Sequence, residues 1–268
     1  MDIKRLFARY MKVKEVGSAH ATLSASGSER WLGCPGSIRL SEGLPEVNNP
    51  ASIRGTNTHT LLQFMLENST WKYFLFHPDA KAFKAFIGFD EAMLSNAGFA
   101  FYYVMGEREK MRARYGIYPQ LFSEKKVELE GVGFGTSDII LYHPFGLLHV
   151  MDYKNGTYTV NPECNTQGLY YAAAAADLFG WNFESLAITI IQPNGANQSQ
   201  PVRTWVPTWD DLEEAKADLQ RGAKRTREKN APLVVDSKRC FFCPANRVCP
   251  EQMKLREKRI LKQFERLS

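Results

Sequence analysis

The chain has 268 residues, 44% of them hydrophobic and 24% charged, proportions that fit a globular protein and exclude a disordered or fibrous one. Lys and Arg number 34 against 29 Asp and Glu, a net charge of +5, which permits a polyanionic partner without requiring one. The length falls between one and two ordinary domains, no run approaches the roughly 18 apolar residues that span a bilayer, and no apolar signal core opens the chain.

Residues 1–20 are basic and are expected to form a loose arm or short helix. Within Leu23–Leu40, Ser24 or Ser26 is placed to cap a short helix through Glu29, Arg30 and Trp31, which Cys34-Pro35-Gly36 then breaks. Residues 41–50 form a turn-rich connector. From Ser52 to about Leu66, Leu61, Leu62, Met65 and Leu66 recur at helical spacing, with His59 near the front. Residues from about Asp79 to Tyr115 lack proline and are rich in Ala, Phe, Met and Lys, an inserted helical layer.

The pattern then changes period. Residues 125–132, 136–143 and 147–154 are short β-branched and apolar runs separated by glycine-rich turns, an antiparallel meander. Asn165–Phe179 is a helix by composition. Residues 186–193 read as a buried strand and 202–207 as a further strand. Residues 209–229 form an amphipathic helix with acids first and bases last, as the helix dipole favours. The order predicts a mixed α/β core with helical additions, followed by a cysteine-rich segment and a basic tail.

Five cysteines are present, three of them between Cys240 and Cys249. An odd, clustered set argues against a secreted disulfide framework and for a reducing, intracellular compartment. Cys240, Cys243 and Cys249 follow C-x2-C-x5-C, a spacing that brings two thiolates to one centre and a third close behind. The fourth ligand must come from elsewhere, from Cys34 or Cys164. A single C-x2-C knuckle leans toward an iron–sulfur cluster, with structural zinc the alternative and inert core thiols the plain reading.

Asp152-Tyr153-Lys154 ends a predicted strand, so Asp152 and Lys154 project to one face. Asp138 closes the turn Gly135–Asp138 and opens the neighbouring strand, which lets both carboxylates meet at one sheet edge. Two carboxylates and a lysine suit Mg²⁺ or Mn²⁺ and metal-assisted hydrolysis of a phosphodiester; alone, Asp-x-Lys is as well explained by a strand-end salt bridge. His59, near a helix start, and Gln167 with Tyr171, one turn apart on a helix, are unremarkable singly.

Their order is informative. Gly55-x-x-x-His59, Gly135-x-x-Asp138, Asp152-x-Lys154 and Gln167-x-x-x-Tyr171 are bracketed by Cys34-Pro35 and the C-terminal cysteines. The set resembles the RecB-type branch of the PD-(D/E)XK nucleases, specifically members with an iron–sulfur staple such as AddB nuclease domains and CRISPR-associated exonucleases, and is most similar to phage-encoded RecB-like proteins. The resemblance spans roughly Leu23 to Pro250. It implies a restriction-endonuclease-like core, a mixed central sheet flanked by helices. It also implies a single nuclease domain over 1–268, with an N-terminal helical part at 23–76, a helical insertion at 77–118, a catalytic core at 119–235 and the cysteine cluster and tail at 236–268.

By the same resemblance His59, Asp138, Asp152 and the Tyr153 carbonyl bind the divalent cation and Lys154 is catalytic. Gln167 and Tyr171 contact DNA or support the site, and Glu124 stands where relatives often carry an acid. Cys34, Cys240, Cys243 and Cys249 match the 4Fe-4S ligands, which leaves Cys164 as a free thiol. The activity implied is a Mg²⁺- or Mn²⁺-dependent DNA exonuclease on ends or single strands, in the cytoplasm of a bacterium or phage-infected host, with room for a helicase or recombination partner. The alternative is a non-catalytic nucleic-acid-binding or assembly protein that keeps the fold and the staple. Basic clusters at Lys4, Arg5 and Arg9, at Arg108–Arg114, at Lys224–Arg227 and at Lys254–Arg259 are each either a solvated face or part of a DNA channel. Phe101, Tyr102, Tyr103 and Tyr115 either stack bases or pack the helical layer.

Overall fold

The computed structural model describes residues 22–44, 50–69, 84–85 and 88–265. The expected N-terminal arm with Lys4, Arg5 and Arg9, the end of the connector and most of the stretch before Gly88 lie outside the described residues.

Two short helices, α1 (Ser28–Gly33) and α2 (Ser37–Ser41), precede α3 (Pro50–Glu67) and the long α4 (Glu91–Tyr115). A meander of β1 (Gln120–Leu129), β2 (Gly133–Tyr142) and β3 (Leu147–Tyr153) follows, then α5 (Thr166–Leu178), β4 (Ser185–Ile191), β5 (Val202–Trp205) and α6 (Trp209–Thr226). The chain continues through α7 (Ser237–Phe241), a 3-10 turn at Pro244–Arg247 and α8 (Pro250–Glu265).

The strands form one five-stranded sheet in chain order, β1-β2-β3-β4-β5. The first three pair antiparallel, β3 and β4 pair parallel, and β5 returns antiparallel to β4. A parallel pair needs a crossover, and α5 supplies it. The run Ala172–Ala176 is fully buried between sheet and α6, and small side chains there let the helix lie close. Gly168 shows how close: a Cβ on it would stand 2.7 Å from Ile188 Cγ2. This mixed sheet flanked by helices is the architecture expected of a restriction-endonuclease-like core.

Two cores divide at the sheet. On one face Val150, Leu148, Ile140 and Ile188 pack against α5, continuing to Leu212 and Leu219 of α6 and Trp31 of α1. On the other, Ile139, Leu141, Met151 and Tyr153 pack against Leu61, Phe64 and Met65 of α3 and Met93, Phe101 and Val104 of α4. Burying each such large apolar side chain contributes about 1.5–3 kcal/mol.

Of the helical layer expected over about Asp79–Tyr115, residues 84–85 and α4 are helical, and most of the part before Gly88 lies outside the described residues. The Asp90 carboxylate accepts from the Met93 N–H (2.8 Å) and caps α4. Two local expectations change. Neither Ser24 nor Ser26 caps α1; Gly27 takes that place with no side-chain cap, while Ser24 Oγ accepts from the Gly27 N–H (3.2 Å) just ahead of the helix. Asp138 does not open its strand. The turn lies earlier, around Gly131 (φ +75°), and Gly135–Asp138 is already paired strand.

Candidate active site

The site grows from the sheet register. Ser123 pairs with Ile139 and Lys125 with Ser137, which puts Glu124 opposite Asp138; Ile139 pairs with Met151, which puts Asp138 beside Asp152. Three carboxylates from β1, β2 and β3 therefore stand in one row across the sheet.

Glu124 is also where β1 kinks. Its φ is +46°, in the left-handed region, and the side-chain alternation changes phase there. Leu121 packs toward α3 and α4 and Phe122 toward α5, yet Val127 and Leu129 beyond the kink also face α5. A kink of this kind re-aims a side chain, and here the Glu124 carboxylate meets His59, which lies in the middle of α3 and not near its start as expected.

His59 arrives from α3. Its Nδ1 lies 3.4 Å from Glu124 Oε1 and 3.4 Å from Asp138 Oδ1, and its ring meets Tyr153 edge-on at 5.4 Å. One ligand atom from each of His59, Glu124 and Asp138 lies within 4.8 Å of the others, the one such group of three or more His, Cys, Asp or Glu among the described residues. Asp138 Oδ2 also accepts from the Tyr153 N–H (2.7 Å), so the backbone of Tyr153 orients Asp138.

Asp152 lies outside that group of three. It is buried, with Lys154 Nζ 2.8 Å from Oδ2 and 3.1 Å from Oδ1. Gln167 Nε2 donates to Asp152 Oδ1 (2.8 Å) while Gln167 Oε1 accepts from Lys154 Nζ (2.8 Å). Asp152, Lys154 and Gln167 thus close a triangle, and the Tyr171 phenol lies close enough to Gln167 to interact with it. Gly135 makes room for the Tyr171 ring, since a Cβ there would stand 2.8 Å from Cε1.

The charges are strongly coupled. Burial works against the His59 imidazolium, but Asp138 and Glu124 outweigh it and raise the ring well above its ordinary value. Burial pulls Lys154 down, and Asp152 and Asp138 more than reverse it. Burial also presses on Asp138, yet the His59 charge, Lys154 and the Tyr153 N–H hold it below the usual carboxylate range. Glu124 and Asp152 are pushed up, by burial first and by the neighbouring carboxylates. Burial pushes the Tyr171 phenol up as well, with Asp138 and Asp152 adding to it. A divalent cation bound to the three-residue group would displace the His59 proton, because a ligating imidazole is neutral.

Cys34 and Cys240 sit where the segment around α1 and α2 meets residues 229–240. Cys34 Sγ accepts from the Val234 N–H (3.2 Å), Cys240 Sγ from the Asp236 N–H (3.4 Å), and Gly36 N donates to Pro232 O (2.9 Å). Cys34 and Cys249 are buried, Cys240 and Cys243 half-buried, and Cys164 is exposed. The four expected ligands are not gathered into a single-ion cage.

Much of the basic surface is locally paired: Lys110 with Glu107 (2.6 Å), Arg112 with Glu109 (3.5 Å) and Lys254 with Glu251 (2.7 Å), while Arg108 and Arg112 lie over the Tyr118 ring. Of the α4 aromatics, Phe101 is buried, Tyr115 stacks on His143, and Tyr102 is exposed. No helix among the described residues is long and apolar enough to cross a membrane.

Sequence reasoning did not single out Gln192 and Arg203, which hold the loop that follows Lys154. The signal was a polar residue closing an otherwise apolar strand, fully buried in the fold.

Among solved structures the chain is similar to a protein from Eubacterium rectale described as a "Putative exonuclease", at 16% identity and a TM-score of 0.46, over 84% of this chain and 86% of that one. It is also similar to SSO0001, at 12% identity and a TM-score of 0.39, over 94% of this chain and 97% of that one. The match in sequence is to a family described as a protein of unknown function, DUF2800; it runs over residues 20–267, from the segment ahead of α1 through α8, and the chain belongs to that family.

Proposed function

We propose that the protein is a divalent-metal-dependent DNA nuclease that hydrolyses phosphodiester bonds at ends or in single strands. The observation that carries this reading is the row Glu124–Asp138–Asp152, with His59 at one end and the Lys154–Gln167 pair at the other. Carboxylate and imidazole donors within reach of one ion fit Mg²⁺ or Mn²⁺. His59, Glu124 and Asp138 would hold the ion, with Asp152 next in the row. When bound, it supplies Lewis-acid stabilisation of a phosphoryl oxygen and a more acidic water.

The chain's own groups supply the rest. Lys154 places a cation beside the negative charge that develops on the phosphate. Gln167 fixes that cation by accepting from Nζ, and holds Asp152 with its other end. Tyr171, a neutral phenol, buttresses Gln167. The Tyr153 N–H keeps one oxygen of Asp138 occupied and leaves the other facing His59.

The same reading assigns a 4Fe-4S cluster to Cys34, Cys240, Cys243 and Cys249. Backbone N–H groups donate to two of these sulfurs, a form of support that iron–sulfur centres use.

The test is end-labelled single- and double-stranded DNA incubated with anaerobically purified protein and Mn²⁺. Wild-type protein is expected to degrade it, and Lys154→Ala to lose about 10²–10³-fold in rate, the usual cost of removing one such electrostatic contact. Undiminished activity in Lys154→Ala or Asp138→Ala would remove the site assignment. A brown preparation with about four irons per chain is expected; a colourless, zinc-loaded one excludes the cluster.

A further inference from the structure

The loop that leaves β3 after Lys154 is held with unusual completeness. Gln192, fully buried at the end of β4, donates from Nε2 to Gly156 O (2.8 Å) and Tyr158 O (2.7 Å). Its Oε1 accepts from the Val160 N–H (3.1 Å) and from Arg203 Nη2 (2.6 Å). Arg203 Nε donates to Val160 O (2.9 Å), and Ala196 N donates to Thr157 O (2.8 Å). Surface loops ordinarily leave such backbone groups to water. Here the buried Gln192, just beyond β4, and the half-buried Arg203 of β5 take them.

The large apolar group this clamp presents outward is Tyr158, which is 69% exposed. A stiff loop gives an exposed ring no packing advantage in the folded chain, but it removes the ordering cost of stacking on a ligand. The position is apt. Lys154, anchored by its own N–H on Ile191 O (2.9 Å), begins the loop, and the four residues to Tyr158 span at most about 14 Å.

We propose that Tyr158 is a preformed stacking platform for an unpaired nucleobase, set by Gln192 and Arg203 beside the strand whose phosphate lies at Lys154. The inference rests on the nuclease reading and narrows its substrate to single-stranded nucleic acid. A base inside a duplex has both faces covered by its neighbours and cannot stack on the ring; an unpaired one can.

Fluorescence anisotropy of the full chain with labelled oligo-dT and with a blunt duplex, in EDTA so that nothing is cleaved, tests this. Tyr158→Ala is expected to weaken oligo-dT binding about 5- to 150-fold, the range for losing one stacked base. Tyr158→Phe keeps the ring and should retain the affinity, and no Tyr158 variant should change duplex binding. Gln192→Leu, similar in size but without hydrogen bonds, should weaken oligo-dT binding in the same direction; if it does not fold, the Tyr158 pair decides. Unchanged oligo-dT affinity in Tyr158→Ala, or an equal loss on duplex, overturns the platform while a wild-type protein that degrades DNA upholds the nuclease. A wild-type protein that neither binds nor cleaves overturns both.

Discussion

His149 shows how a single buried side chain ties this fold to pH. It lies on β3, 2% exposed, with Nε2 2.7 Å from Thr189 Oγ1, which in turn meets Thr204 Oγ1 at 2.8 Å. Burial, with the charge of Lys110 adding to it, depresses its pKa from 6.5 to about 3. Above pH 6.5 the ring is neutral folded or unfolded and adds no pH dependence. As pH falls below that value the unfolded chain takes up a proton that the folded chain refuses, so stability drops until about pH 3. The slope is at most about 1.4 kcal/mol per pH unit. Thermal or urea denaturation of wild type and His149→Gln across this range should therefore show their stability difference shifting in favour of the variant by about 2 kcal/mol between pH 7.5 and pH 5. Parallel curves would mean that His149 is protonated in the folded protein. This residue was invisible as a titrating group in sequence, where a histidine in an apolar run has no stated burial. The common face of Asp152 and Lys154 was legible, because period-two alternation places them without any knowledge of their surroundings; Asp138 joins them through the β1–β2–β3 register and not through the turn expected ahead of it.

At the scale of elements, the meander, α5, β4 and α6 follow from periodicity and capping, and α6 even closes a capping box between Thr208 and Asp211. The kink in β1 does not follow from either. An apolar count from Lys125 onward is regular because it starts past the phase change, so the strand was read as beginning five residues late and Glu124 as lying ahead of it. What the pattern could not carry is the left-handed backbone at Glu124, φ +46°, which costs a residue with a Cβ about 1 kcal/mol or more. The carboxylate held at that cost stands opposite Asp138 and 3.4 Å from His59, and the proposed nuclease site makes it a metal ligand, a place where function can oppose backbone preference. Glu124→Gly should relieve the strain and Glu124→Ala should keep it. The glycine variant is expected to be the more stable of the two by about 1 kcal/mol in urea denaturation, the reverse of their order in ordinary strand. Both should lose Mn²⁺ affinity by calorimetry, so stability reports the backbone and metal binding reports the carboxylate. Equal stabilities would place residue 124 in ordinary extended backbone.

For the whole molecule the decisive feature is the joint between the segment around Cys34 and residues 229–240. The segment around Cys34 and the segment 229–240 are far apart in sequence, yet Gly36 N donates to Pro232 O, Cys34 Sγ accepts from Val234 N, and Lys238 pairs with Glu29. Gly36 is where the two backbones come closest. A Cβ there would stand 2.6 Å from Ala231 O and 2.9 Å from Pro232 O, both backbone atoms that no rotamer change can move aside. Gly36→Ala must therefore separate the segments, at about 1–3 kcal/mol, the usual cost of overpacking. Gly55, within α3, has nothing within 4 Å of its Cβ position, so Gly55→Ala should raise stability by about 0.5–1 kcal/mol through helix preference alone. The two glycine-to-alanine changes thus have opposite expected signs. Urea denaturation reads the stability of each, and iron content per chain reads the joint. Gly36→Ala should hold less iron than wild type, because its cost falls between Cys34 and the other three cysteines, whereas Gly55→Ala should hold as much. A Gly36→Ala protein with wild-type stability would show that the two ends are not pressed together. One that is destabilised but keeps its full iron would show that iron binding does not depend on this contact.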